Sequence, residues 1–296
     1  MLDTIENVQQ ALLDHSYVAN RGLATVVFLS LKLGKPLFLE GEAGVGKTEV
    51  GKVLAHMLGT RLIRLQCYEG LDVHNAVYEW DYARQILHLR LLEASAATRS
   101  EMERDLYRRE FLLARPLLQA IEQDNQEVPV LLVDEIDRAD EEFESFLLEI
   151  FSDFQITIPE IGTIRAEQPP VVVITSNRTR EVHDALKRRC LYQWIDYPNF
   201  ETEYQILEMK VPGISKRLSY QVVSVVQDLR QVDLFKPPGV AETLDWARAL
   251  LVVDQQELDE QAINDTLGVL LKYHDDVQRV HGAMARELVN QTHADQ

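Results

Sequence analysis

Gly41-Glu42-Ala43-Gly44-Val45-Gly46-Lys47-Thr48 sets glycines before a lysine–threonine pair, directly after the apolar run Pro36-Leu37-Phe38-Leu39. The segment fits G-x-x-x-x-G-K-[ST]. Its glycines let a loop fold back so that backbone N–H groups point inward at phosphate oxygens. The helix expected over Lys47–Leu58 turns its positive N-terminal end toward the same anion. In such a cradle Lys47 reaches the β- and γ-phosphates, and the Thr48 hydroxyl holds Mg²⁺. Gly41 through Glu49 are therefore the candidate cofactor-binding residues. A plain glycine-rich turn accounts for the glycines but not for Lys47-Thr48.

Further along, the apolar run Val128–Val133 ends in Asp134-Glu135. An aspartate at a strand tip binds Mg²⁺ through water, and an adjacent glutamate polarises a water for attack on a γ-phosphate. The bland alternative is a pair of acids capping a strand in a segment rich in solvated acids. Asn177 closes the next apolar run, Val171–Thr175; its amide is placed to bond a phosphate or orient water, although Ser176-Asn177 also suits a simple turn. Lys187-Arg188-Arg189-Cys190 follows a short helix. A cation so far from its own phosphate loop serves either as an arginine finger on a neighbour's nucleotide, Arg188 ahead of Arg189, or as a basic helix end. The catalytic candidates are thus Glu135, Lys47, Asn177 and Arg188, and the metal candidates Thr48 and Asp134.

These residues need a scaffold that brings loop and strand ends together. The pattern predicts helix over 4–33, a strand over Pro36–Glu40, the helix Lys47–Leu58 and a strand over Arg61–Gln66. Glu101–Gln123 reads as one long helix, with Leu106, Leu112, Leu113, Leu117, Leu118 and Ile121 on its apolar face. A helix over Asp140–Phe151 and a hairpin of Gln155–Ile158 with Thr163–Arg165, turning at Pro159–Gly162, precede the strand Val171–Thr175. From Glu201 onward helical patterns dominate, broken at Pro212-Gly213 and Pro237-Pro238-Gly239. Continuous apolar strands alternating with helices mean an α/β parallel sheet whose ligand sits at the C-terminal strand ends. The expected division is a nucleotide-binding core, residues 1–198, and a helical lid, residues 199–296.

Composition narrows the function classes. The 296 residues are 46% hydrophobic and 26% charged, as in a globular protein. No apolar stretch reaches the ~20 residues that span a bilayer. The start, Met1-Leu2-Asp3-Thr4-Ile5-Glu6-Asn7, lacks the basic and apolar regions of a signal peptide, so a cytoplasmic location is expected. Cys67 and Cys190 have no paired spacing, which argues against a disulfide framework or a metal site. A net charge of −18 argues against a general binder of nucleic-acid backbones.

The order of parts (phosphate loop, Asp-Glu strand, hairpin, strand-end Asn, basic helix end, helical lid) resembles an AAA+ ATPase. Val133-Asp134-Glu135-Ile136-Asp137-Arg138-Ala139, Phe146-Leu147-Leu148-Glu149 and the hairpin Gln155-Ile156-Thr157-Ile158-Pro159 resemble the MoxR family. Leu37–Lys52, His183–Tyr197 and Pro237–Trp246 look closest to its CoxD-like branch. The resemblance spans Tyr17–Leu251 and implies ATP and Mg²⁺ as cofactors and a homo-oligomeric ring, commonly a hexamer. It also implies a von Willebrand factor A domain partner and a metalloenzyme client of the molybdenum hydroxylase or CO dehydrogenase kind. Carried across, it makes Asn177 the first sensor and Arg188 the finger. One departure stands out: family members often carry a lid arginine that touches the nucleotide, and Glu242 falls near that place, with Lys236 the nearest substitute. A nucleotide-dependent binding switch with little turnover and a motor acting on nucleic acid are the alternatives to a protein-remodelling ATPase.

Overall fold

The computed structural model describes residues 2–94, 102, 105–123 and 127–294. At its centre lies a five-stranded parallel sheet in the order β2-β5-β8-β1-β9. These strands are β1 (Leu37–Gly41), β2 (Leu62–Gln66), β5 (Val130–Asp134), β8 (Val171–Ser176) and β9 (Leu191–Ile195). β1 and β5 are buried throughout, as continuous apolar runs covered on both faces must be. Alternation along each strand sorts the side chains. Leu37, Leu39, Val130, Leu132 and Val173 pack against the helices Ile5–Asp14, Arg21–Leu33 and Lys47–Leu58. Phe38, Leu131, Val133, Val172 and Ile174 pack against Pro116–Ile121 and Glu141–Asp153 on the opposite face.

Local chemistry starts the helices where the sequence places capping residues. Thr4, Asn20, Asp140, Asn199, Ser215 and Asp259 each accept a backbone N–H three residues on. The helical stretch expected over 4–33 is two helices, because Ser16 takes a left-handed φ of 59° and Asn20 starts a new cap. The expected hairpin forms between β6 (Gln155–Ile158) and β7 (Gly162–Arg165), with the Thr157 and Thr163 hydroxyls 2.9 Å apart. β9 was not foreseen: only partly buried at the sheet edge, Leu191–Ile195 lacks a continuous apolar run.

The single long helix expected over Glu101–Gln123 is overturned from Tyr107 onward; residues 102, 105 and 106 are helical. Arg109–Phe111 is a 3₁₀ turn, Leu112–Ala114 is a strand (β4), and the α-helix resumes only at Pro116–Ile121. Two physical causes are evident. Pro116 disfavours helix for Arg115, whose φ of −91° and ψ of 172° are extended, and itself opens the next helix. Leu112 and Ala114 pair antiparallel with Trp80 and Tyr78 of β3 (Tyr78–Trp80), a partner too far along the chain for periodicity to reveal. Trp80 is buried and stacks edge-on with Tyr107 at 5.4 Å, whereas Tyr82 is exposed.

The C-terminal helices Phe200–Lys210, Lys216–Leu229, Val240–Val252, Glu260–Leu270, His274–Val280 and Ala283–Ala294 surround a separate core centred on Trp246. One buried ion pair joins the first three. Glu203 accepts Arg230 Nη1 at 2.6 Å and Nη2 at 2.8 Å, and also the Gln227 amide and the Thr243 hydroxyl. Arg230 further donates to Pro238 O at 2.9 Å and lies over the Tyr197 ring. Among the described residues no helix is long and apolar enough to cross a membrane.

Breaking this pair leaves a buried carboxylate without its counter-charge. Arg230→Leu should lower stability by roughly 3–5 kcal/mol, read as a shift in the urea unfolding midpoint.

Candidate functional site

The loop between β1 and the helix Lys47–Leu58 bends through two glycines in the left-handed region, Gly44 (φ 79°) and Gly46 (φ 95°). A Cβ at Gly44 would sit 2.8 Å from Glu242 Oε2 and 3.3 Å from Gly239 Cα, so the C-terminal bundle rests directly on the loop. Lys47 is buried, and its Nζ donates to Gly41 O at 2.8 Å and Glu42 O at 2.5 Å. Burial pulls the Lys47 ammonium down to about 8, against Asp137, Glu42, Asp134 and Glu135, whose charges hold it up.

Asp134 ends β5 in the middle of the sheet and is almost fully buried. Its Oδ1 accepts the Thr48 hydroxyl at 2.9 Å and the Thr175 hydroxyl at 2.6 Å. Its Oδ2 accepts Arg64 Nε at 3.0 Å and Nη2 at 2.5 Å. Glu135 turns the chain with a left-handed φ of 56°, an uncommon conformation for a residue with a side chain. Its N–H donates to Thr175 Oγ1, while its carboxylate meets Arg138 Nε at 2.9 Å, Gln66 Nε2 at 3.1 Å and Asn177 Nδ2 at 3.3 Å. Asp137 takes a different part. It accepts the Asn177 and Thr179 backbone N–H groups and the Thr179 hydroxyl, fixing the loop after β8 against the loop after β5. Burial raises the Asp137 carboxyl, but the Thr179 and Asn177 hydrogen bonds outweigh it and hold the group below its usual range.

These side chains border a cleft of about 880 Å³. Residues 16–20, residues 194–199 and the bundle residues Ile206, Lys210, Leu244 and Arg248 complete its wall. Of the candidates read from sequence, the phosphate-loop residues from Ala43 to Glu49, together with Asp134, Glu135 and Asn177, converge on this space. Arg188 does not. It is 79% exposed, pairs with Asp184 at 2.7 Å, and lies outside the cleft. Arg189 is folded back onto Leu148 O and the Ser152 hydroxyl. Lys187 binds the buried Glu40 at 3.1 Å, so the basic helix end is anchored to the last turn of β1.

The lid position is resolved differently from the expectation. Glu242 accepts Gly239 N–H at 3.0 Å and caps its own helix, and Lys236 is absent from the cleft lining. Arg248, farther along the same helix, and Lys210, paired with Glu49 at 3.1 Å, are the bundle cations that border the cleft. Sequence reasoning missed both, along with Arg64, Gln66 and Tyr17. The i, i+3, i+7 spacing of Ala241, Leu244 and Arg248, which line the cleft from one helix face, was the available signal for the first; the others needed the tertiary pairing. Neither thiol is favoured as a thiolate: burial raises Cys67 to about 12, helped by Asp134 and Asp137, and burial alone raises Cys190 to about 12.

The donor set suits a magnesium–triphosphate. The left-handed glycines leave backbone room for an anion, a buried ammonium faces it, and hydroxyl plus carboxylate oxygens are the hard ligands that Mg²⁺ prefers.

The family model for the AAA domain (dynein-related subfamily) matches residues 36–190, more than half of the chain, and the chain belongs to that family. It is a member of the AAA+ ATPases, whose fold binds and hydrolyses nucleotide and usually assembles as rings. A search of the curated proteins finds no match. Among solved structures, the Thermotoga maritima RuvB Holliday junction branch migration motor is similar at TM-score 0.47 and 16% identity, over 84% of this chain and 67% of that one. A single-residue variant of RuvB from the same organism aligns at TM-score 0.50 and 18% identity, over 93% of this chain and 74% of that one. At such identity the likeness shows the fold alone: a parallel sheet flanked by helices, followed by C-terminal helices.

The lowered Lys47 value carries a sign. Below about pH 8 the ammonium is charged with or without a phosphate ligand, so affinity for a nucleotide should be flat. Above about 8 binding must take up a proton, and affinity should fall by up to ~tenfold per pH unit. Fluorescence titration of an ATP analogue between pH 7 and 10 measures this, and Lys47→Arg should flatten the decline.

Proposed function

We propose that this chain hydrolyses ATP with Mg²⁺ at the seam of a homo-oligomeric ring, commonly a hexamer in such families, and uses the cycle to remodel a protein client. The observation that carries the reading is the convergence of Lys47, Thr48, Asp134, Glu135 and Asn177 on one cleft roofed by the C-terminal bundle. In this reading residues 1–198 form the nucleotide-binding core and residues 199–296 the lid.

Lys47 holds the terminal phosphates and Thr48 and Asp134 hold the metal. Mg²⁺ held there would neutralise negative charge on the phosphates. Glu135 takes the proton of the attacking water, which requires it to be freed from Arg138 and Gln66. Asn177, hydrogen-bonded to Glu135, orients water and phosphate. Arg248 supplies the lid cation that Glu242, engaged as a cap, does not. Arg188 acts on the neighbour's nucleotide, a role that its exposure and its distance from the home cleft support.

The client assignment extends the MoxR-like and CoxD-like motifs: a metalloenzyme activated together with a von Willebrand factor A domain partner. The acid excess, −18, favours a protein client over a nucleic-acid backbone.

Glu135→Gln should bind ATP yet lose about a hundredfold or more in phosphate release. Arg188→Ala should lose roughly a thousandfold while keeping nucleotide affinity, and mixing it with Lys47→Ala should restore part of the turnover. Unchanged turnover in Glu135→Gln would show a binding switch rather than an ATPase, and no recovery at any mixing ratio would remove the trans role of Arg188.

A further inference from the structure

Asp134 and Arg64 form an ion pair that the phosphate-loop motif does not call for. β2 pairs with β5 in the register Arg64↔Leu132 and Gln66↔Asp134, so Arg64 lies one side-chain step below the carboxylate on the same sheet face. Its guanidinium reaches up and places both Nε and Nη2 on a single oxygen, Oδ2. Oδ1 is already committed to the Thr48 and Thr175 hydroxyls. The whole acceptor capacity of a nearly sealed carboxylate is thereby shared between two neutral donors and one full positive charge.

That charge is open to solvent in a way the carboxylate is not. The Arg64 side chain is 49% exposed and that of Asp134 only 2%. Arg64 also donates to Gln66 Oε1 at 2.5 Å, and Gln66 in turn donates to Glu135 at 3.1 Å. A single cation therefore touches the metal-side carboxylate directly and the water-side carboxylate through one amide.

We infer that Arg64 is the resident counter-cation of Asp134, and that it competes with Mg²⁺ for Oδ2 and swings toward solvent when the metal engages. A buried carboxylate is costly without charge or hydrogen-bond partners, and two cations drawn to one oxygen repel each other. Withdrawal of Arg64 also removes its hydrogen bond to Gln66 Oε1, the residue that donates to Glu135. Arg64 is a positioning residue, acting through Asp134 and Gln66. This inference rests on the nucleotide-site reading above, and its test separates the two.

The experiment titrates Mg²⁺ into full-length protein with a fluorescent ATP analogue at fixed concentration, and in parallel follows the thermal midpoint of nucleotide-free protein as Mg²⁺ alone is added. Relative to wild type, Arg64→Gln should lower the Mg²⁺ concentration for half-maximal analogue binding by roughly five- to tenfold. Arg64→Lys, which keeps the charge but not both hydrogen bonds, should move it the same way by a smaller factor. Mg²⁺ alone should raise the thermal midpoint of Arg64→Gln and leave that of wild type in place. An unchanged or increased Mg²⁺ requirement in both variants, with Mg²⁺ alone leaving their midpoints where wild type has its own, overturns the inference. Wild type that binds no analogue at any Mg²⁺ concentration overturns the nucleotide site instead, and the metal-only midpoints then decide on Arg64.

Discussion

A negative charge buried at the tip of an interior strand, β5, organises this molecule. Asp134 is nearly sealed from water, and a carboxylate there is tolerated only with its lone pairs filled and its charge balanced. The groups that satisfy it come from the helix after β1 (Thr48), from β8 (Thr175) and from β2 (Arg64). Meeting the needs of one side chain thus fixes the heights of these elements against one another. The strand register agrees, with Gln66 level with Asp134 and Val133 level with Ile174. The site is rigid because the fold cannot leave that charge unattended.

The neighbouring acids are sorted by environment into different parts. Asp137 is consumed by Thr179 and Asn177 and serves as a staple between two loops. Glu135, on a left-handed backbone, is more open and is held only through side chains that can rotate away: Arg138, Gln66 and Asn177. A strained backbone bound at its N–H to Thr175 keeps this carboxylate aimed at the cleft while its partners remain exchangeable. Three carboxylates within four residues therefore divide into a sealed one, one held by partly exposed side chains and a structural one.

Much of this was legible in the sequence, for reasons that are themselves physical. The phosphate loop, β1, β5 and β8 are local signals: glycines at bends, and unbroken apolar runs that only a doubly covered parallel strand requires. Asp134, Glu135 and Asn177 could be placed because each follows such a run directly. What stayed hidden depends on pairing across the chain. Arg64 and Gln66 are only polar positions of an expected strand, Arg61–Gln66, until β2 is set beside β5. Leu112 and Leu113 extend a helical pattern until β4 is set beside β3, and Pro116 was the local sign that the helix could not run through. Asp137 looked like one more surface acid in an acidic stretch.

The basic helix end and the C-terminal bundle show how the cleft communicates outward. Lys187 is tied to Glu40, which also accepts the Tyr192 hydroxyl at 2.9 Å, so the helix that carries Arg188 is fastened to the strand entering the phosphate loop. On the other side, Ala241 N–H donates to Gly44 O at 3.2 Å, and Lys210 reaches Glu49 in the first turn of the following helix. Gly239 must lack a side chain here, since a Cβ would come within 2.9 Å of Ala43 O and Gly44 Cα. The bundle and the basic helix therefore grip the same loop from opposite ends, one by backbone contact and one by a buried ion pair. A loop held this way cannot change shape on its own: a shift at Gly44 displaces the bundle, and a shift at Glu40 displaces the exposed Arg188. Within the bundle, the buried pair of Glu203 and Arg230 ties the first three helices together, so the contact on Gly44 is joined to that core by charge as well as packing.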